Sequence, residues 1–263
     1  MTYEAFEFQI ENNIATVTWN QPDSGNPFDG TFCREFAQIA TECDANPDIR
    51  AVLMNARGKF FSVGGDVKTF TKDRDALPHF IKSASADLHV GIARFARMDA
   101  PLIIACHSLV TGGAVSVTAA ADFAIATEDS KFYAAFTQIG FSGDAGTTYN
   151  LPRRVGHRRA MEFLIRNQTW SAPEALEYGL LNQVVSDQDE LEVEARKLAE
   201  ELASRPTAAV GEIKRLFLSN FEQPLEAQLE LESRALARAS ATDDAWEGLN
   251  SVSEKRTPVF KGK

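Results

Sequence analysis

Short apolar runs alternating with helical stretches constrain this chain more than any other feature. AVLMNA (51–56), LIIAC (102–106) and DFAIAT (122–127) each have the length and composition of a buried strand. A helical stretch carrying Phe80, Ala84, Leu88, Ile92 and Phe95 separates the first two. TGGAVSVTAAA (111–121), a small-residue helix opened by glycines, separates the second from the third. Such strand–helix–strand order is the pattern of an α/β fold whose sheet is buried on both faces. Ahead of it, Phe6, Phe8 and Ile10 alternate, Glu11-Asn12-Asn13 supplies turn chemistry, and IATVTW resumes. That is a β-hairpin. QPDSGNPFDG (21–30) is a loop, and Phe32, Phe36, Ile39 and Cys43 then recur at helical spacing.

After about residue 145 the strands thin out. HRRAMEFLIRN is helical, and SAPEALEYG is a short helix with a Ser171/Glu174 capping box and Gly179 as its stop. NQVVS (182–186) is a last strand. From Asp187 onward every stretch is an amphipathic helix, with Pro206 and Pro224 near the starts of two. The expected division is an α/β core over 1–195 and a helical region over 196–263.

Charge and cysteine content narrow the partners. The 263 residues hold 27 Lys plus Arg against 37 Asp plus Glu, a formal charge of −10. A general nucleic-acid binder would need a basic face, so none is expected. Three cysteines with no CxxC pair indicate neither a disulfide framework nor a zinc knuckle. The start, MTYEAFEFQI, lacks the order of a signal peptide, and no apolar run approaches the ~20 residues of a membrane span. A cytoplasmic chain without membrane contact is the expectation.

Two glycine loops and one aspartate carry the candidate chemistry. Phe61-Ser62-Val63-Gly64-Gly65-Asp66 follows a strand, and Thr111-Gly112-Gly113-Ala114 follows a strand and opens a helix. Glycines let backbone N–H groups approach a ligand, and a helix start adds unpaired donors. One N–H from each loop could flank a carbonyl oxygen as an oxyanion hole. The same glycines could equally serve turns and close packing. Neither loop matches GxxxxGK[ST] or GxGxxG, so nucleotide binding has no motif behind it. Asp144, within Gly140-Phe141-Ser142-Gly143-Asp144-Ala145-Gly146, is placed to act as an acid or base, or to cap the helical stretch that follows. His79, His89, His107 and His157 form no metal-ligand spacing, and no G-x-S-x-G elbow is present.

Taken together, these blocks resemble the crotonase, or enoyl-CoA hydratase/isomerase, family. The resemblance rests on GKFFSVGGDV (58–67), PLIIACHSLVTGGAVSVTAAADFAIAT (101–127) and SKFYAAFTQIGFSGDAGTTYNLPRRVG (130–156). It continues through SAPEALEYGLLNQVV and EKRTPVFKG (254–262), almost the whole chain. It implies a ββα spiral core with a C-terminal helical trimerisation region, and a homotrimer or a dimer of trimers. It also implies an acyl-CoA substrate, with no cofactor beyond the coenzyme A of the thioester. The two oxyanion donors fall on Gly65 and Gly113. Lys59, Lys68, Lys255 and Lys261 are candidates to meet the coenzyme's phosphates. Where the family often has a basic residue before the proline of its first loop, Gln21 stands here.

The departures decide the expected reaction. The places of the two hydratase glutamates hold Ser116 and Phe136. Neither is an acid or base near neutral pH, so two-glutamate hydration is not expected. Asp144 stands where several isomerases of the family carry one catalytic acid, and the expected enzyme is an isomerase. The family's 4-chlorobenzoyl-CoA dehalogenases have an Asp nucleophile at that place and a His near His89, which makes dehalogenation the second expectation. A non-catalytic acyl-CoA-binding member is the third. Phe61, Ser62, Asp66, Val67, Phe136, Phe141 and Tyr149 are the expected substrate contacts.

Overall fold

The computed structural model describes residues 2–263. The hairpin is β1 (Phe6–Glu11) and β2 (Ile14–Trp19), antiparallel with Phe6 opposite Trp19. Asn12 and Asn13 take φ of 52° and 64° in its turn, a region Asn tolerates better than most side chains. α1 (Gly30–Ala45) is capped by Asp29, which accepts from the Phe32 N–H at 2.7 Å. There follow β3 (Ala51–Ala56), the short α2 (Val67–Phe70), α3 (Leu77–Arg97), β4 (Leu102–Cys106), β5 (Leu109–Thr111) and α4 (Gly113–Ala120). Next come β6 (Phe123–Thr127), β7 (Lys131–Tyr133), α5 (Thr147–Val155), α6 (His157–Ile165) and β8 (Thr169–Ser171). The chain finishes with α7 (Ala172–Tyr178), β9 (Gln183–Val185), α8 (Gln188–Ala203), α9 (Thr207–Ser219), α10 (Leu225–Ser240) and α11 (Asp243–Glu254).

Two sheets result. β1-β2-β3-β4-β6-β9 form a six-stranded sheet, parallel after its first pair. β5-β7-β8 form a smaller sheet. One unit repeats through both: β4 enters the large sheet, the chain turns, β5 enters the small sheet, and α4 returns. β6, β7 and α5 repeat it. β3, a single bridge from Ser62 to Val110, and α3 make a reduced version. Three-residue strands show almost no alternation, and β5, β7 and β8 are absent from the sequence reading, whereas the equally short β9 is read from NQVVS.

The large sheet is covered on both faces. On one side Phe32 and Phe36 of α1 and Leu88 and Phe95 of α3 join its core. On the other, Leu191, Ala195, Ala199 and Ala203 of α8 recur every fourth residue and pack over Ile14, Leu53, Ile103 and Ile125. The expected boundary at residue 195 therefore falls inside α8, on its sheet-facing stripe. By its packing α8 goes with the core, and the chain leaves it at residues 204–206.

Lys214 of α9 fastens the last helices to this body. Its buried ammonium lies 2.8 Å from Asp122, 3.0 Å from the Phe95 carbonyl and 2.7 Å from the Ala100 carbonyl. Gly211 makes the approach possible, because a Cβ there would lie 2.0 Å from Asp99 Oδ1. Beyond it, Leu225, Leu229, Leu236, Trp246 and Leu249 are exposed on α10 and α11. Cys33, Cys43 and Cys106 are free and buried. Among the described residues no helix is long and apolar enough to cross a membrane, and no three His, Cys, Asp or Glu are grouped to hold a metal ion.

Candidate active site

A cleft of about 510 Å³ opens beside the edge of the small sheet, walled by both glycine loops, α2, α3 and residues 135–144. Its position follows from how the first glycine loop is held. The buried Asn26 side chain donates to the carbonyls of Arg57 (2.9 Å), Phe60 (3.2 Å) and Phe61 (3.1 Å) and accepts from the Gln21 N–H at 2.8 Å. The Ser62 hydroxyl donates to the Asn26 carbonyl at 2.7 Å and accepts from the Gly64 N–H at 3.1 Å. Backbone bonds tie the two loops together: Thr111 N–H to the Ser62 carbonyl at 3.1 Å, and Ser62 N–H to the Leu109 carbonyl at 3.0 Å. Gly64 must be glycine here. Its φ is +84°, and a Cβ would press on the Thr111 carbonyl oxygen at 3.1 Å.

Gly65 and Gly113 both border the cleft. Phe28 spans them: its backbone bridges to Gly65, and its ring would touch a Cβ on Gly113 at 3.2 Å. Gly113 opens α4, where an N–H has no partner within the helix, and among the described residues neither glycine N–H is bonded. Two free donors beside one cavity can hold a developing oxyanion.

Asp144 borders the same cleft. It does not cap α5. Gly146 takes that place with φ 73°, and no side chain bonds the helix start. Asp144 instead points to α3, with Oδ1 2.7 Å from His89 Nε2. The two side chains are about half exposed, at 40% and 52%. Ala145 follows at φ 55°, and Ala135, at the start of the same wall segment, has φ 61°. Non-glycine residues in this region cost of order 1–3 kcal/mol each and persist only where packing over-determines them. Cys33 also borders the cleft, yet burial first, then Asp29, Asp144 and Asp87, push its thiol up to about 12. It is neutral and no nucleophile at ordinary pH.

The remaining candidates separate. Val67, Phe136 and Phe141 line the cleft. Phe61 does not: it is fully buried, packed on Trp19 at 4.6 Å between centroids. Ser62 is fully buried as the loop's internal brace. Asp66 turns away to accept from the Thr69 N–H and hydroxyl as the cap of α2. Tyr149 ties α5 to α9, its hydroxyl donating to the Leu218 carbonyl at 2.6 Å under the Arg153 guanidinium. Ser116 is buried in α4 with its hydroxyl on the Gly112 carbonyl at 3.4 Å. Lys59 and Lys68 are exposed near the cleft's first loop, whereas Lys255 and Lys261 lie on the C-terminal segment. Gln21 is engaged with Asp29 at 3.0 Å. Asn26 escaped the sequence reading. Its only signal was a polar residue inside a turn-rich loop, which does not distinguish it from its neighbours.

Known proteins resemble this chain in sequence and fold. The family model described as enoyl-CoA hydratase/isomerase matches residues 9–263. The 1,2-epoxyphenylacetyl-CoA isomerase of Escherichia coli K12 is 31% identical over 97% of both chains. The 4-chlorobenzoyl coenzyme A dehalogenase-1 of an Arthrobacter species is 29% identical over 84% of this chain and 80% of its own. A crystal structure of an enoyl-CoA hydratase from Polaromonas sp. JS666 superposes with a TM-score of 0.92 at 26% identity, over 98% of this chain and 100% of that one. The chain has the crotonase-like α/β fold and belongs to the enoyl-CoA hydratase/isomerase family.

Proposed function

We propose that this protein is an acyl-CoA isomerase that moves a double bond or remodels a ring through a single carboxylate. The observation that carries the reading is Asp144 on the wall of the cleft that Gly65 and Gly113 border, in a chain with Ser116 and Phe136 at the hydratase glutamate places. The thioester oxygen accepts from the Gly65 and Gly113 N–H groups. That polarisation makes the α-carbon acidic. Asp144 takes the α-proton, the electron pair moves onto the oxygen as a dienolate, and the two donors hold it. The same carboxyl returns the proton two carbons along, so protons balance without water. His89 donates from Nε2 to one Asp144 oxygen, which fixes the carboxylate plane and leaves the other oxygen for the substrate. This chemistry uses no cofactor beyond the coenzyme A that the substrate thioester carries. The exposed apolar side chains of α10 and α11 support association of copies, which we take, from the family resemblance, as a homotrimer or dimer of trimers.

In Asp144→Asn, turnover of a 3-enoyl-CoA should fall at least ~10²–10⁴-fold, the usual worth of a general acid–base group. Binding of a saturated acyl-CoA should remain. Wild-type turnover in that variant would end this mechanism.

The direct His89–Asp144 contact favours one other reading, dehalogenation of a 4-halobenzoyl thioester. There Asp144 would attack the ring carbon, halide would leave, and water activated by His89 would cleave the aryl ester. Phe136, which borders the cleft, offers no N–H to orient the aspartate. Chloride release from 4-chlorobenzoyl-CoA, lost in both His89→Gln and Asp144→Asn, would put this reading first.

A further inference from the structure

We infer that the acyl end of the cleft is built for a flat aromatic acyl group, and that Phe70 is the residue that sets this preference. The inference rests on the cleft being a thioester site, and it names the class of acyl group.

Five phenylalanines border the cleft: Phe28, Phe70, Phe80, Phe136 and Phe141. Three of them make one continuous aromatic surface. Phe70 and Phe141 lie 5.7 Å apart between centroids at 33°, and Phe70 and Phe80 lie 6.1 Å apart at 57°. They come from three separate segments, α2, α3 and the loop before α5, so no local repeat explains the meeting.

Phe70 also lies against the oxyanion side of the site. A Cβ on Gly65 would come within 2.7 Å of its ring. Phe141 sits three residues before Asp144 on the same loop. An acyl group whose oxygen rests on Gly65 and whose reacting carbon faces Asp144 therefore runs along the Phe70 and Phe141 rings. The other apolar wall residues are mostly branched, as in Val63, Leu77, Ile81 and Leu88, and among the described residues no methionine borders the cleft to reshape it for a flexible chain. A ring on this surface gains offset or edge-to-face contacts beyond its buried area, which a saturated chain of similar size does not. Two such contacts correspond to a factor of about ten in affinity.

The test is calorimetric binding of unreactive thioesters to the full chain. Phenylacetyl-CoA should bind about tenfold more tightly than hexanoyl-CoA, with coenzyme A alone as baseline. Phe70→Leu should reduce that ratio to about threefold or less, and Phe141→Leu should reduce it in the same direction. Circular dichroism melts check that each variant is folded. A hexanoyl thioester bound as tightly as the phenylacetyl one by the wild type would overturn the inference. So would an unchanged ratio in both folded variants. If neither thioester binds better than coenzyme A, the reading of the cleft as an acyl site fails as well. Failure of isomerisation alone, with the binding ratio intact, would sink the isomerase mechanism and leave the aromatic preference standing.

Discussion

Asn26→Ala should unfold the protein more readily and loosen the first oxyanion loop together. The side chain makes four hydrogen bonds, is 1% exposed, and sits at φ 52°. Alanine removes the acceptor of the Gln21 N–H and the donor to the buried Phe61 carbonyl. The Gln21 N–H and the Arg57 and Phe60 carbonyls are only partly buried. The one buried partner, the Phe61 carbonyl, costs about 1–3 kcal/mol when left unpaired. Alanine also tolerates the left-handed conformation less well than asparagine. The expected loss is about 2–4 kcal/mol. For a chain of this size that lowers the melting midpoint by roughly 4–15 °C at fixed protein concentration. Asn26→Asp is the sharper probe. It is nearly isosteric and keeps an acceptor for Gln21, but it turns a carboxylate oxygen toward three carbonyl oxygens. It should be at least as damaging as alanine at pH 7. Urea unfolding gives the stability, and thioester binding to the folded fraction reports the loop. A loss under about 1 kcal/mol in both variants would refute the view that this one amide holds the loop.

Other perturbations have equally definite outcomes. Lys214→Met strips the buried cation from Asp122 and two carbonyls and should cost about 3 kcal/mol in urea unfolding, with Lys214→Met/Asp122→Asn recovering part of it. Gly64→Ala, forced to φ +84° beside the Thr111 carbonyl, should cost about 1–2 kcal/mol and lower kcat/KM for an enoyl thioester. His107 is buried, bonded to the Gly58 carbonyl, and burial pushes its pKa below 6.5. As pH falls through 6.5 the unfolded chain then binds more protons than the folded one, so stability falls as pH drops below 6.5. Urea midpoints should show a steeper fall over that range in the wild type than in His107→Gln; equal slopes would contradict the assignment.

The sequence was legible wherever a property repeats along the chain. Alternation found β1 and β2, continuous apolar runs found β3, β4 and β6, and the Ser171/Glu174 capping box found α7. These signals are local, because the residues that make an element also face one neighbourhood. It failed where direction or partnership was in question. Phe61 and Phe141 look alike in the sequence, yet one is packed on Trp19 and the other faces the cleft. Position 195 looked like a boundary because helix followed helix, but α8 has a sheet to cover.

By its own pattern the chain determined an α/β core, two glycine loops able to offer N–H groups, and the absence of glutamate at positions 116 and 136. The first two are fixed by residue type and spacing, and the third takes its meaning from the family resemblance. Tertiary structure alone decided that His89 meets Asp144 across 55 residues of chain, that Asn26 holds the loop of Gly65, and that three distant phenylalanines share one surface. The physical reason is that side-chain contacts depend on how strands and helices cross, and those crossings are set by burial of the whole core, which no segment encodes by itself.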